Sequence, residues 1–164
     1  SSGDESDDEL LNMSSYSGVV EYFPEELVIT LKAGTSIKEA REVLEKNSQA
    51  FSFYVSDSKK TIGSIYATSG SDLSDSVLGV QIINGKGDLL NFGGQVMKNV
   101  AGYDVSRLMA GALGTLGLLT DVSLKVLPKP ASEHTLQQLC SQQEAILRFS
   151  QWMAKPLPLS AACW

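Results

Sequence analysis

The segment from residue 93 to residue 130 constrains this chain more than any other part of its sequence. Glycines recur along it, polar side chains such as Lys98, Asn99 and Tyr103 stand between them, and an alternating apolar stretch follows directly. Each glycine inside a regular element loses about 0.5–1 kcal/mol against alanine, so a segment built only for packing has little use for so many. Loops whose backbone N–H groups approach a phosphate or a flat ring do need them. The segment therefore predicts a ligand-binding turn that leads into a strand.

The composition is typical of a globular chain without a membrane span. Its 164 residues, of which 43% are hydrophobic, suffice for one core, or for one domain and part of another. No apolar run approaches the roughly 18 residues that a membrane-spanning helix requires, and no signal peptide opens the sequence. We therefore expect a cytoplasmic protein.

The negative charge is concentrated at one end. The formal net charge is −6, and residues 1–9, SSGDESDDE, contain five acidic side chains. We expect this acidic segment to be solvated and flexible; the alternative is a site for a metal ion or a basic partner. The remaining chain is nearly neutral and has no basic stripe, which argues against a nucleic-acid partner.

The cysteine and histidine content predicts no metal site. Cys140 and Cys163 have no CxxC or other metal-ligand spacing, and His134 is the single histidine. We expect both cysteines to be reduced and structural, and His134 to be structural as well.

The first half of the chain mixes strand and helix patterns. Residues 18–23 and 26–33 are rich in β-branched and aromatic residues, which predicts neighbouring strands around a turn at Pro24. Ser36 and Glu39 have the spacing of a capping box, and the helix that follows has Ile37, Ala40, Val43 and Leu44 on one apolar face. Residues 52–76 are predicted to form a polar loop.

The second half continues with a hairpin, a short helix and a strand. Residues 77–84, the turn GKGD and residues 89–93 predict a hairpin whose glycines adopt positive φ. Asp104 is expected to cap a short helix over 105–110, which Gly111 ends. In LLTDVSLKVLP, apolar and polar residues alternate as expected of a strand.

The sequence changes character after Pro128 and Pro130, which predicts a domain boundary. HTLQQLC (134–140) predicts a strand, Ser141 and Glu144 form a second capping box, and LSAACW (159–164) predicts the start of another strand. A strand cut off in this way leaves unpaired backbone groups, so we expect the chain to be part of a longer polypeptide.

The motif GGQVMKNVAGYDVSRLMAGALGTLGLLTDVSLKVLPKP resembles the FAD-binding subunits of bacterial glycolate oxidases, within the vanillyl-alcohol-oxidase (p-cresol methylhydroxylase-type) flavoprotein superfamily. The pairing of KNVAGYD with GTLG is fairly specific to this branch. The resemblance extends to LLNMSSYSGVVEYFPEELVITLKAGTSIKEAREVL, to SVLGVQIINGKGDLLNFGG and to WMAKPLPLSAACW, and so covers residues 10 to 164.

The resemblance implies an α+β fold with a mixed or antiparallel sheet and flanking helices, mainly the second subdomain of the p-cresol methylhydroxylase-type FAD-binding domain. After the acidic segment over 1–9, it implies an FAD-binding domain over 10–130, incomplete at its N-terminus, and the start of an α/β cap domain over 131–164. The family's pyrophosphate loop is expected just before Ser1, and the family's glycine-rich stretch near residues 61–76 is shortened here.

The resemblance also implies which positions contact FAD, through main-chain atoms or polar side chains. These are Gly63, Thr68, Asp75, Lys98, Asn99, Gly102, Tyr103, Asp104, Gly114, Thr115, Gly117, Leu118 and Leu119.

Each group of positions has a structural alternative. Gly63 and Thr68 are expected at the flavin or the pyrophosphate, or else in an ordinary turn. Asp75 is expected at the adenosine side, or else as an exposed loop carboxylate. The stretch 114–119 is expected along the ribityl chain and the ring, or else as a turn into a strand. Lys98 is expected to neutralise reduced flavin or a partner carboxylate, or else to lie in a solvated loop.

The function that the resemblance implies is oxidation of a 2-hydroxy acid to a 2-oxo acid with FAD as the electron acceptor. The partners implied are a homologous flavoprotein subunit and an iron–sulfur subunit, through which the complex can associate peripherally with the inner membrane. No catalytic base is identified in the chain, so it is expected from the cap or a sister subunit. The alternatives are a cofactor-poor scaffold with the same fold, and a different substrate such as D-lactate or an aryl alcohol.

Overall fold

A computed structural model describes residues 11–68, 71–94, 105–157, 159 and 162–163, with only the backbone described for Ser71 and Asp72. The chain divides into two compact units, Ser1–Lys129 and Pro130–Trp164.

The first unit is built on an antiparallel sheet. Its strands are β1 (Val19–Phe23), β2 (Val28–Lys32), β3 (Gln49–Phe51), β4 (Val77–Ile83), β5 (Leu89–Gly93) and β6 (Leu118–Pro128). The strand order of the main sheet is β1-β2-β6-β4-β5, and β3 pairs with the C-terminal end of β6. Every one of these pairings is antiparallel. The helices of this unit are α1 (Ile37–Glu45), α2 (Ile62–Thr68), α3 (Ser71–Ser74) and α4 (Val105–Met109), and Pro24–Glu26 forms a 3-10 turn.

The core lies against the centre of this sheet. In β6, Val122, Leu124 and Val126 are fully buried, as the alternating pattern predicted. They belong to one apolar cluster with Ile37 and Leu44 of α1. Removing such side chains from water is the main favourable term in folding, at about 25 cal/mol per Å² of apolar surface.

Helix α1 confirms the first capping box. The Ser36 hydroxyl accepts a hydrogen bond from the Glu39 N–H at 3.2 Å, and the Glu39 carboxylate accepts one from the Ser36 N–H at 2.9 Å. Both bonds satisfy backbone N–H groups at the start of the helix, which have no partners within the helix.

The hairpin and the short helix are also as predicted, except that Gly85 of the GKGD turn does not have a positive φ. Gly87 has a φ of +85° in the turn between β4 and β5, where the Asn84 side chain accepts bonds from the N–H groups of Lys86 and Asp88. Gly111, with a φ of +80°, follows α4. The predicted cap, Asp104, lies outside the described residues.

The loop predicted over residues 52–76 is confirmed for residues 52–61 but was wrong where α2 and α3 lie, and β3 was not predicted at all. Helix α2 buries Ile62, Ile65 and Tyr66 against the sheet. Glycine, serine and threonine dominate the sequence of this region and have modest helix propensity, but burial of this apolar face outweighs propensity.

The second unit contains one described helix, α5 (Gln142–Met153), which begins with the predicted capping box of Ser141 and Glu144. The strand predicted for residues 134–140 was wrong, since these residues have no regular structure. A strand needs a hydrogen-bonded neighbour, and the described part of this unit contains no other strand. Most of the strand predicted for 159–164 lies outside the described residues; Leu159, Ala162 and Cys163 are irregular.

Candidate functional site

A pocket of about 360 Å³ opens in the first unit, between α2 and the turn that leads into β6. Small-molecule sites in proteins have volumes of about 300–1,000 Å³ and mostly apolar walls with a few polar groups. The residues that line this pocket are Met13, Ala33, Thr61, Gly63, Ser64, Tyr66, Ala67, Met109, Ala112, Gly114, Leu116, Gly117, Leu118 and Leu119.

Helix α2 forms one wall and is pressed closely against the end of β2. The Gly63 N–H donates to the Ala33 carbonyl at 2.8 Å. A Cβ on Gly63 would lie 3.0 Å from both the Cβ and the carbonyl oxygen of Ala33, tighter than ordinary van der Waals contact. The helix begins after Thr61, whose hydroxyl accepts from the Ser64 N–H at 3.2 Å. Gly63 therefore lets the helix, and this wall, approach the sheet.

The opposite wall is a turn in which two glycines have different surroundings. Gly114 has a φ of +77°, and a Cβ added there would meet no protein atom within 4 Å. Gly117 has a φ of +152°, and its added Cβ would lie 2.9 Å from the Ile83 carbonyl oxygen. Gly117 thus fits the turn against β4, whereas Gly114 leaves open space in the lining of the pocket.

Three hydrogen bonds join the two walls, and we call this set the α2 latch. The Tyr66 hydroxyl donates to the Ser106 carbonyl in α4 at 2.5 Å. The Gly111 N–H donates to the Tyr66 carbonyl at 2.8 Å, and the Leu113 N–H donates to the Ala67 carbonyl at 3.0 Å. The carbonyls at the end of a helix need partners outside it, and the turn supplies them.

A strap over residues 13–18 brings Met13 to the pocket. The Gly34 N–H donates to the Tyr16 carbonyl at 3.0 Å, and a Cβ on Gly34 would lie 2.1 Å from the Met13 carbonyl oxygen. The Tyr16 ring lies beneath the Lys32 ammonium, 4.8 Å from its centroid, a distance at which the ring face attracts a cation. The strap is therefore tied to β2 along its length.

One ionisable pair anchors this strap to β6. The Tyr16 hydroxyl donates to Asp121 Oδ1 at 3.3 Å. Burial raises the pKa of Asp121, although the hydrogen bond from Tyr16 and the charge of Lys32 oppose the shift. Burial also raises the pKa of Tyr16, with a further contribution from the negative charge of Asp121. The pair orients the strap, and neither residue lines the pocket.

The structure brings together five of the predicted FAD contacts, Gly63, Gly114, Gly117, Leu118 and Leu119, in the lining of one pocket. Their contact with FAD stays a prediction.

Three other predicted positions are not among the lining residues. The Thr68 hydroxyl donates to the Ser64 carbonyl at 2.7 Å, and the Thr115 hydroxyl donates to the Ala112 carbonyl at 2.7 Å. Asp75 has a side chain that is 75% exposed and lies 3.7 Å from Arg107 in an ion pair. Thr68 lies in α2 rather than in the turn given as its alternative. The contact of these three residues with FAD stays a prediction.

The remaining predicted positions cannot be placed. Lys98, Asn99, Gly102, Tyr103 and Asp104 lie outside the described residues.

Apart from Gly63, sequence reasoning missed the residues that α2 and the strap contribute. Gly63, Tyr66 and Ala67 lie three and four positions apart, which is the spacing of one helix face. A prediction of α2 from the sequence would have placed these three residues on the same side of one helix. Met13 carried no such signal, because its place depends on the long-range contact with Gly34.

The pocket has the volume and the mostly apolar lining of a small-molecule site. Its walls carry apolar side chains such as Met13, Met109 and Leu116, which match a flat aromatic ring. The space beside Gly114, which a Cβ would enter, allows a ligand to approach the main chain there. The volume fits one part of a dinucleotide rather than the whole molecule. Among the described residues, no three His, Cys, Asp or Glu side chains gather as metal ligands.

Comparison with known proteins agrees with this geometry. The chain is 42% identical to glycolate oxidase subunit GlcE of Escherichia coli strain K12 over 94% of its own length and 47% of the relative. It is 41% identical to glycolate oxidase subunit GlcD of Bacillus subtilis strain 168, over 43% of this chain and 15% of the relative. The chain thus spans about half the length of the first relative and less of the second.

A solved structure shares the fold. An alkyldihydroxyacetonephosphate synthase superposes with a TM-score of 0.61 at 22% identity, over 73% of this chain and 23% of the synthase. None of the helices in the described ranges has the length and apolar character needed to cross a membrane.

Residues 1–93, more than half of the chain, match the family described as FAD binding domain. The chain therefore belongs to the FAD binding domain family, which confirms the fold class and the FAD cofactor predicted from its sequence.

Proposed function

We propose that this chain is the FAD-carrying component of a glycolate oxidase-type enzyme, which oxidises a 2-hydroxy acid to the 2-oxo acid. In this proposal residues 10–130 belong to the FAD-binding domain and residues 131–164 begin a cap domain. The observation that carries the proposal is the glycine turn around Gly114, which lines a pocket in a chain 42% identical to GlcE.

When bound, FAD supplies a two-electron acceptor for oxidation of the alcohol carbon. The chain's own contribution is to bind and orient the ring. Main-chain atoms at Gly63, Gly114 and Gly117 would hold the cofactor edge, while Leu118 and Leu119 would exclude water beside it. The proton acceptor for the substrate hydroxyl is proposed to come from the cap or from a partner subunit.

The partners proposed are a homologous flavoprotein subunit and an iron–sulfur subunit. GlcE and GlcD are both named as glycolate oxidase subunits, and this chain is more than 40% identical to each over the matched region. We propose a cytoplasmic location, with association at the inner membrane through the partner subunits.

The first test is the visible absorption spectrum of the purified full-length protein and the identity of any flavin released by heat. We expect the spectrum of an oxidised flavin and release of FAD. A protein that stays colourless after FAD is added would favour the cofactor-poor scaffold instead.

The second test compares two glycines of similar conformation. Gly114→Val and Gly87→Val both place a branched side chain at a φ near +80°, and neither added Cβ meets a protein atom within 4 Å. Each change costs about 1–2 kcal/mol of backbone strain. Only Gly114 lines the pocket, so we expect Gly114→Val to lose flavin and Gly87→Val to keep it. Equal flavin content in both variants would contradict the proposed site.

A further inference from the structure

One bond of the α2 latch, from the Tyr66 hydroxyl to the Ser106 carbonyl, lies between buried residues, whereas Gly111 and Leu113, which donate the other two, are exposed. Tyr66 is 3% exposed and Ser106 is 2% exposed. A buried carbonyl that loses its donor keeps the full cost of desolvation. The Tyr66 hydroxyl donates to the buried Ser106 carbonyl, which belongs to the five-residue helix α4.

The latch also holds a strained backbone position next to the pocket. Leu113 has a φ of +54°, a left-handed conformation that costs a residue with a Cβ about 1 kcal/mol or more. Its N–H is bonded to the Ala67 carbonyl, and Gly114 follows it directly. A residue keeps such a strained conformation only where several surrounding contacts hold it in place.

Each wall of the pocket is thus attached to the other at the latch. Gly63, Ser64, Tyr66 and Ala67 belong to α2, whereas Met109 and the lining residues of the turn follow the Ser106 carbonyl in the chain. A shift of α4 away from Tyr66 would move the turn and widen the space between the walls.

We propose that Tyr66 is a positioning residue for the cofactor pocket, whose hydroxyl sets the separation between α2 and the glycine turn. This inference rests on the proposed function, since it assigns to Tyr66 a role in holding FAD. Tyr66 is one of the residues that line the pocket, and its hydroxyl acts through Ser106 rather than on the ligand.

Tyr66→Phe tests this role because phenylalanine keeps the ring and removes only the hydroxyl. The matched control is Tyr22→Phe, since the Tyr22 hydroxyl donates to Gln49 Oε1 at 2.7 Å and Tyr22 is absent from the pocket lining. In the full-length protein we expect Tyr66→Phe to weaken FAD binding by about tenfold, from the loss of one buried hydrogen bond. The control is expected to bind FAD as the wild type does.

A second pair of variants reaches the latch without touching the pocket lining. Gly111→Ala strains the residue whose N–H bonds to the Tyr66 carbonyl, and Gly87→Ala imposes a similar strain in the hairpin turn. We expect weaker FAD binding in Gly111→Ala alone. This pair decides the question if Tyr66→Phe does not fold.

The measurements are the dissociation constant of FAD by fluorescence titration, the visible circular dichroism of the bound flavin, and the melting temperature. A changed flavin signal in Tyr66→Phe, absent in Tyr22→Phe at a similar loss of melting temperature, supports the positioning role. Unchanged FAD affinity and dichroism in both latch variants would overturn it. A wild-type protein that binds no FAD would instead defeat the proposed function, which the same titration reveals separately.

Discussion

Helices α1 and α5 begin with the same local sequence signal, but their apolar residues are buried to different degrees. Ser36 with Glu39, and Ser141 with Glu144, each form a complete capping box with bonds in both directions. A capping box satisfies the free groups of the first turn wherever it occurs, so it predicts the start of a helix but not its surroundings.

The two helices differ in what covers their apolar residues. In α1, Ile37, Ala40 and Leu44 are fully buried against the sheet. In α5, only Ala145 is buried, while Leu147 is 62% exposed. The comparison shows that caps decide where a helix begins, whereas burial decides how much the helix contributes to stability.

The largest expected effect comes from truncating the same side chain in both helices. Leu44→Ala removes a fully buried side chain and leaves a cavity, so we expect the free energy of unfolding to fall by about 2–5 kcal/mol. Leu147→Ala removes an exposed side chain and should change it by no more than about 0.5 kcal/mol. Urea denaturation of the two variants measures both values. Similar losses would mean that the face of α5 is covered in the protein.

An intermediate effect is expected from removing the caps. Ser36→Ala and Ser141→Ala each delete a hydroxyl that accepts an N–H bond, which costs about 1 kcal/mol of helix stability. For Ser36→Ala we expect this loss in the urea-induced unfolding of the first unit, because α1 is packed into its core. For Ser141→Ala we expect greater amide hydrogen exchange in α5 and little change in the first unit. A global loss of the same size from Ser141→Ala would contradict the comparison.

The smallest effect is a pH dependence in the first capping box. Hydrogen bonds from the backbone and the hydroxyl of Ser36 lower the pKa of Glu39 below its ordinary value. A lowered folded pKa stabilises the protein above the unfolded pKa, and this stability is lost as the pH falls through the folded pKa. We therefore expect the free energy of unfolding of the wild type to exceed that of Glu39→Gln by no more than about 0.5 kcal/mol near neutral pH. This difference should vanish in acid.

The control for this prediction lies on the same helix. Glu42 is exposed and lies 4.0 Å from Lys38, without a role in the cap. Glu42→Gln removes a carboxylate from the same helix without touching the cap, and its thermal unfolding is measured beside that of Glu39→Gln. If both variants lose the same stability over the same pH range, the cap is not the cause.

The pocket was predictable only in part. Gly63, Gly114 and Gly117 were singled out from the sequence, and all three line the pocket. Their physical reasons differ: Gly63 and Gly117 avoid clashes with Ala33 and with β4, whereas Gly114 borders open space. A glycine in a sequence indicates that a Cβ is excluded, but it does not indicate whether protein or ligand excludes it.

Other parts of the site could not be inferred from local patterns. Tyr66 was overlooked because its role depends on Ser106, forty residues away. Thr68 and Thr115 were predicted as ligand contacts, yet their hydroxyls bond to carbonyls within their own segments. Hydroxyl side chains often bond to nearby backbone groups, and this competes with any role in binding.

The sequence by itself determined the elements whose signals are local. These were both capping boxes, the hairpin at Gly87 and the alternating strand β6, and each follows from steric preference or hydrogen bonding within a few residues. The motif around the glycine turn also identified the family, because it combines residue types that packing alone does not require. Only the tertiary structure decided that residues 62–68 form a helix, that residues 134–140 do not form a strand, and that Met13 and Tyr66 meet the glycine turn. These outcomes depend on contacts between distant segments, whose burial and pairing outweigh the weak preferences of the local sequence.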